Sequence, residues 1–69
     1  MNLVHIVVAY NDERRLGDAI DFIEGNAAKF KVKDLNKALK WAGKNPKDYK
    51  GKYKKMEVIL NYLKNEYMK

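Results

Sequence analysis

The chain contains no cysteine, serine, threonine or glutamine, one proline and one histidine. Without cysteine there is neither a disulfide framework nor a thiolate metal site, which suits a reducing compartment and gives a cytoplasmic, intracellular location as the expectation. Without serine, threonine or cysteine the usual covalent nucleophiles are missing. The lone His5 has no second histidine or cysteine to complete a zinc site, so it reads as a structural residue. Asp18, Asp21 and Glu24 stand at helical spacing, but hard cations need several converging oxygens, and a solvated acidic face is the simpler reading. There is no glycine-rich phosphate loop. No enzyme activity, metal or cofactor is expected. No run approaches the roughly 18 apolar residues of a membrane span. The N-terminal apolar stretch lacks a preceding basic region and does not read as a signal peptide.

What is present is lysine, and it is clustered. Residues 29–55 hold eleven of the fifteen basic residues against only Asp34 and Asp48, a local excess of +9. Residues 1–28 carry −3 and no lysine, and residues 56–69 balance to zero. Lysine, asparagine, tyrosine and isoleucine are the residues that AT-rich coding favours, as in many phage and low-GC bacterial genomes. Mutational bias of that kind would spread lysine along the chain and does not account for the cluster. A field of this strength concentrates polyanions, of which nucleic acid is the commonest. With 69 residues, 46% hydrophobic and including eight aromatics, the chain reads as one small folded domain over 1–69, not as a basic tail.

Residues 2–10 are apolar and β-branched on both faces, which predicts a buried strand stopped by Asn11 and Asp12. Its internal partner would be the alternating Phe30-Lys31-Val32-Lys33. Two strands make a marginal sheet, so either helices cover the pair or residues 3–10 pair with a second copy in a homodimer. A helix capped by Asn11 or Asp12 follows, with Leu16, Ala19, Ile20, Ile23 and Ala27 on one stripe and a stop at Gly25 and Asn26. Gly17 inside it predicts a close backbone contact, and Phe22 lies off the stripe. The next helix, opened at Lys33 or capped by Asp34, buries Leu35, Ala38, Leu39 and Ala42 and ends at Gly43. A turn-rich loop covers 43–52. The last helix runs over 53–67, with Val58 and Tyr62 on a second apolar face. The predicted fold class is therefore α+β, an N-terminal strand packed with three helices.

Lys37, Lys40 and Lys44 project from one side of the 34–42 helix with Trp41 among them. The loop adds Lys47, Lys50, Lys52, Lys54 and Lys55, with Tyr49 and Tyr53 interleaved. Lysine neutralises phosphate as a point charge, and aromatics stack on bases where strands are open. Two arginines in the whole chain, both outside the cluster, argue against bidentate guanine readout and for sequence-tolerant backbone binding.

Val32, Leu35 and Leu39 in a V-x-x-L-x-x-x-L pattern, Gly43, then Gly51, Lys52 and a helix with a hydrophobic pair make residues 32–63 resemble a SAP-type helix–extended loop–helix module. The match covers under half of the chain, and the loop is longer than the family's. The resemblance implies DNA or RNA backbone binding through the helix ends and the basic loop, at Lys50, Lys52, Lys54 and Lys55. The N-terminal third has no place in that module.

Two functions fit these residues. One is a small basic protein that binds DNA or RNA through phosphates. The other is a phage-like protein–protein regulator or inhibitor whose basic surface docks an acidic partner protein, steered by the acidic first third and the basic middle. Trp41, Val58 and Tyr62 also have a plain reading as a second packing layer of the core.

Overall fold

A computed structural model describes residues 2–68, and among them there is no strand. Four helices make up the protein: α1 (Leu3–Asp12), α2 (Leu16–Gly25), α3 (Val32–Trp41) and α4 (Lys52–Tyr67). Single 3-10 turns at Ala27–Lys29 and Pro46–Asp48 join the later ones. The α+β expectation is thus corrected to an all-α domain. The correction falls on two segments, residues 2–10 and 30–33.

Residues 3–10 lie in α1 because a helix satisfies its own backbone, whereas a lone strand needs a partner for every N–H and C=O. The β-branched composition is a preference for a pleated surface that this chain does not supply. Asn2 caps the helix, its side-chain oxygen accepting the His5 N–H at 3.1 Å. Leu3 and Val7, one turn apart, are buried. His5 is exposed rather than enclosed in an apolar strand. Asn11 and Asp12 close α1 instead of opening α2. The edge through which residues 3–10 were expected to pair with a copy is therefore absent.

Phe30-Lys31-Val32-Lys33 is the entry to α3. Phe30 is fully buried and Leu35 likewise, at the N′ and N4 positions of a hydrophobic staple. Lys31 occupies the N-cap position. Its backbone N–H donates to the Asp34 carboxylate at 3.2 Å, one half of a capping box, since a lysine ammonium has no lone pair for the other half.

Two Schellman turns stop helices. After α3, Lys44 N–H reaches Leu39 O at 2.8 Å and Gly43 N–H reaches Lys40 O at 3.0 Å, with Gly43 at φ +80°. After α1 the same pair runs from Arg15 N–H to Tyr10 O and from Arg14 N–H to Asn11 O, with Arg14 in the left-handed position at φ +58°. α2 ends at Gly25, and Asn26 turns its side-chain amide back onto Phe22 O at 2.8 Å.

α1 packs on α2 and α3, and α4 packs on α3 and α2. Leu3, Val7, Ile20, Ile23, Phe30, Leu35, Leu39, Met56, Ile59 and Leu63 meet in one core. At 31 × 24 × 15 Å the molecule is one core layer thick in its short direction. Gly17 does mark a close approach: a Cβ there would stand 2.9 Å from Tyr67 Cε2. Phe22, off the stripe of α2, lies near Tyr10, with ring centroids 6.4 Å apart. No helix among the described residues is long and apolar enough to cross a membrane.

Candidate nucleic-acid interface

The buried stripe of α3 is Leu35, Ala38 and Leu39. At about 100° per residue, Lys33, Lys37 and Lys40 fall together on the opposite side of the helix. Lys44 follows immediately beyond the Schellman turn. Lys33, Lys37 and Lys40 are exposed and Lys44 is half-buried. Among the described residues no hydrogen bond or ion pair engages any of these four ammonium groups, nor those of Lys47 and Lys50. Lys33 belongs to this row and is the functional candidate that the sequence reading missed. The i, i+4, i+7, i+11 spacing of Lys33, Lys37, Lys40 and Lys44 is the signal in the sequence, and it is visible only when the helix, rather than a strand, takes in residue 33.

Of the other lysines of the cluster, Lys52, Lys54 and Lys55 are occupied within the fold, while Lys29 and Lys31 have no side-chain partner among the described residues. Lys55 is 8% exposed, and its Nζ donates to Asn36 Oδ1 at 2.6 Å and to Pro46 O at 3.0 Å. It ties α4 to α3 and to the Pro46–Asp48 turn. Lys52 Nζ donates to Ala28 O at 3.0 Å and fastens the start of α4 to the turn before α3. Lys54 pairs with Glu57 at 3.5 Å. Three of the four loop lysines singled out for phosphate contact, Lys52, Lys54 and Lys55, therefore have partners in the protein, and only Lys50 does not.

The loop itself is held. Asn45 Oδ1 accepts the Lys47 N–H at 3.0 Å, Pro46 opens the 3-10 turn, and Tyr49 packs half-buried against the core. Tyr49 is thus a packing residue with limited access to a ligand. Tyr53 is 84% exposed, but it stands over a different face. There a groove of about 560 Å³ lies between α2, the Ala27–Lys29 turn and α4, floored by Met56 and Leu60. Its rim cations are spoken for: Lys64 pairs with Glu24 at 2.9 Å, and Lys52 is bound to Ala28.

Trp41 is 46% exposed at the end of α3, beside the lysine row. Its ring meets Tyr62 edge to face, with centroids 5.9 Å apart and planes at 84°. Both line a cleft of about 220 Å³ with Val7, Val8, Asn11, Leu16, Leu63 and Glu66, where α1, α3 and α4 meet beside the start of α2. Val58 and Tyr62 pack half-buried against the core, as a second apolar face of α4 would.

Among the described residues no group of three or more histidine, cysteine, aspartate or glutamate side chains is placed to hold a metal ion. No buried side-chain polar atom there lacks a hydrogen-bond partner. The chain matches no protein-family model, no curated protein and no solved structure.

Proposed function

We propose that this protein binds nucleic acid along the phosphate backbone, without strong sequence preference, through Lys33, Lys37 and Lys40 of α3 and through Lys44, Lys47 and Lys50 after it. The observation that carries this reading is the division among the lysines. Outside that row Arg15 pairs with Glu13 and Asp18, Lys54 with Glu57 and Lys64 with Glu24, while Arg14, Lys29 and Lys31 are exposed without a side-chain partner among the described residues. On α3 a row of cations stands unpaired opposite the buried stripe, and the one carboxylate within it, Asp34, serves as the helix cap. Unpaired ammonium groups in a row raise the local potential and, by neutralising phosphates, release the cations condensed on the nucleic acid. The absence of arginine from residues 29–55 leaves base-edge recognition without its commonest reader.

This reading shifts the contact from the loop that the SAP-type resemblance implies onto the face of α3, with Lys50 common to both. The test is binding of labelled single- and double-stranded DNA and RNA, with heparin as competitor, at about 50 and about 200 mM salt. About five phosphate contacts predict a loss of roughly two to three powers of ten in affinity across that range. Failure to bind any nucleic acid at the lower salt, or displacement by an equal charge of heparin, would contradict it and leave an acidic protein as the partner to seek.

A further inference from the structure

We propose that the nucleic acid taken by this surface is single-stranded, with one base stacked on Trp41 in the cleft between α1, α3 and α4 while neighbouring phosphates lie on the α3 lysines. This rests on the backbone-binding reading above and specifies its ligand.

The first support is how Trp41 is held. Edge-to-face contact with Tyr62 fixes the indole, and whichever ring supplies the edge, at least one indole face stays clear of Tyr62. The second is what lies beside it. Val8, 44% exposed, and Leu16 extend an apolar surface away from the indole, and the cleft of about 220 Å³ opens there. Asn11 at its edge offers an amide with both a donor and an acceptor for a base edge.

The third is registry with the cations. Lys37 precedes Trp41 by four residues and so lies next to it along the helix, about 6 Å away in axial rise. Lys40 is its chain neighbour, and Lys44 lies just past the turn. A strand following this row would place phosphates on the lysines and direct its bases to one side, toward Trp41 and the cleft. In a duplex the bases are stacked and paired inside, so the same row would meet phosphates while the indole and the cleft met nothing. An apolar protein side chain would also fit the cleft, whose one charged lining residue is the acid Glu66, but the lysine row beside Trp41 favours a polyanion that keeps its phosphates on that row and turns only flat rings toward the cleft.

Trp41 is the sole tryptophan, so intrinsic fluorescence reads the site directly. The experiment titrates the protein with single-stranded DNA, single-stranded RNA and blunt duplex DNA of equal length at low salt, following indole emission and affinity together. Quenching is expected with single strands and not with duplex, and the two single-strand arms decide which sugar is preferred. Trp41→Ala should weaken single-strand binding about ten- to a hundred-fold, the range of one base stack, and leave duplex and heparin binding unchanged. Trp41→Phe should restore most of the loss and, with the native quenching, decides the matter should Trp41→Ala fold poorly by circular dichroism. Equal affinity for duplex and single strand, with no change in emission and no effect of Trp41→Ala, would overturn the inference while backbone binding stood. Binding to none of the three would overturn both.

Discussion

Lys55 and Lys37 carry the same ammonium on the same four-carbon stem, yet Lys55 Nζ sits 2.6 Å from Asn36 Oδ1 while no hydrogen bond or ion pair among the described residues engages that of Lys37. The two residues should fail in different ways. Lys55→Ala leaves the Asn36 and Pro46 oxygens without their donor, and we expect a stability loss of about 1–3 kcal/mol in urea unfolding. Lys37→Ala should change stability by less than about 0.5 kcal/mol, as surface substitutions do, and weaken nucleic-acid binding instead. Arg14 is the one non-glycine residue among those described with positive φ. Arg14→Gly removes the penalty on the left-handed conformation and should stabilise the protein by about 1 kcal/mol, read as a higher urea midpoint at unchanged slope. Arg15 has its pKa raised, first by the hydrogen bond to Asp18 and then by that to Glu13. A cation whose folded pKa is raised contributes its stabilisation below its unfolded pKa and loses it only as pH climbs through the folded value. Stability should therefore show no dependence on Arg15 short of strong alkali, which a melt series across neutral pH checks.

Glycines separate the helices by mechanism. Gly51 opens α4 at φ +90° and ψ 146°, a region other residues avoid, and nothing lies within 4 Å of where its Cβ would be. Gly51→Ala should cost about 1–3 kcal/mol from backbone strain alone, measurable by thermal melting. Gly17 is different. It has ordinary helical geometry, and the atom that its Cβ would meet is the far end of the side chain of Tyr67, a residue that is 58% exposed. Once that ring swings aside, Gly17→Ala should gain most of the helix-propensity difference, about 0.5–1 kcal/mol. The stops at Gly25 and Asn26 and at Gly43, and the span of α4, were legible because capping chemistry is local. α1 was not. Its apolar residues surround the helix axis, so periodicity favours neither state, and β-branching points toward a sheet that exists only if a second strand does. The deciding signals were Asn2 as a cap and the weakness of the only other strand, 30–33, whose alternation turns out to be a buried Phe30 followed by a helix start.

At the level of the molecule, charge density was readable from composition, but its allocation was not. Nine excess positive charges over residues 29–55 make a polyanion-binding face a sound expectation. Which lysines stand free depends on partners distant in sequence: Ala28 for Lys52, Asn36 and Pro46 for Lys55. Packing α3 across α1 and α4 directs the unpaired row outward and sets Trp41 at its border, two consequences that follow from tertiary contacts alone. The most direct measurement is the slope of log affinity against log salt for the native protein, for Lys37→Ala/Lys40→Ala and for Lys52→Ala/Lys54→Ala. Removing two phosphate contacts from α3 should flatten the slope by about 1.4–1.8, while removing the two lysines that the fold already engages should leave it as it is. Equal flattening in both double variants, or flattening only in the second, would contradict the assignment of the binding surface to α3.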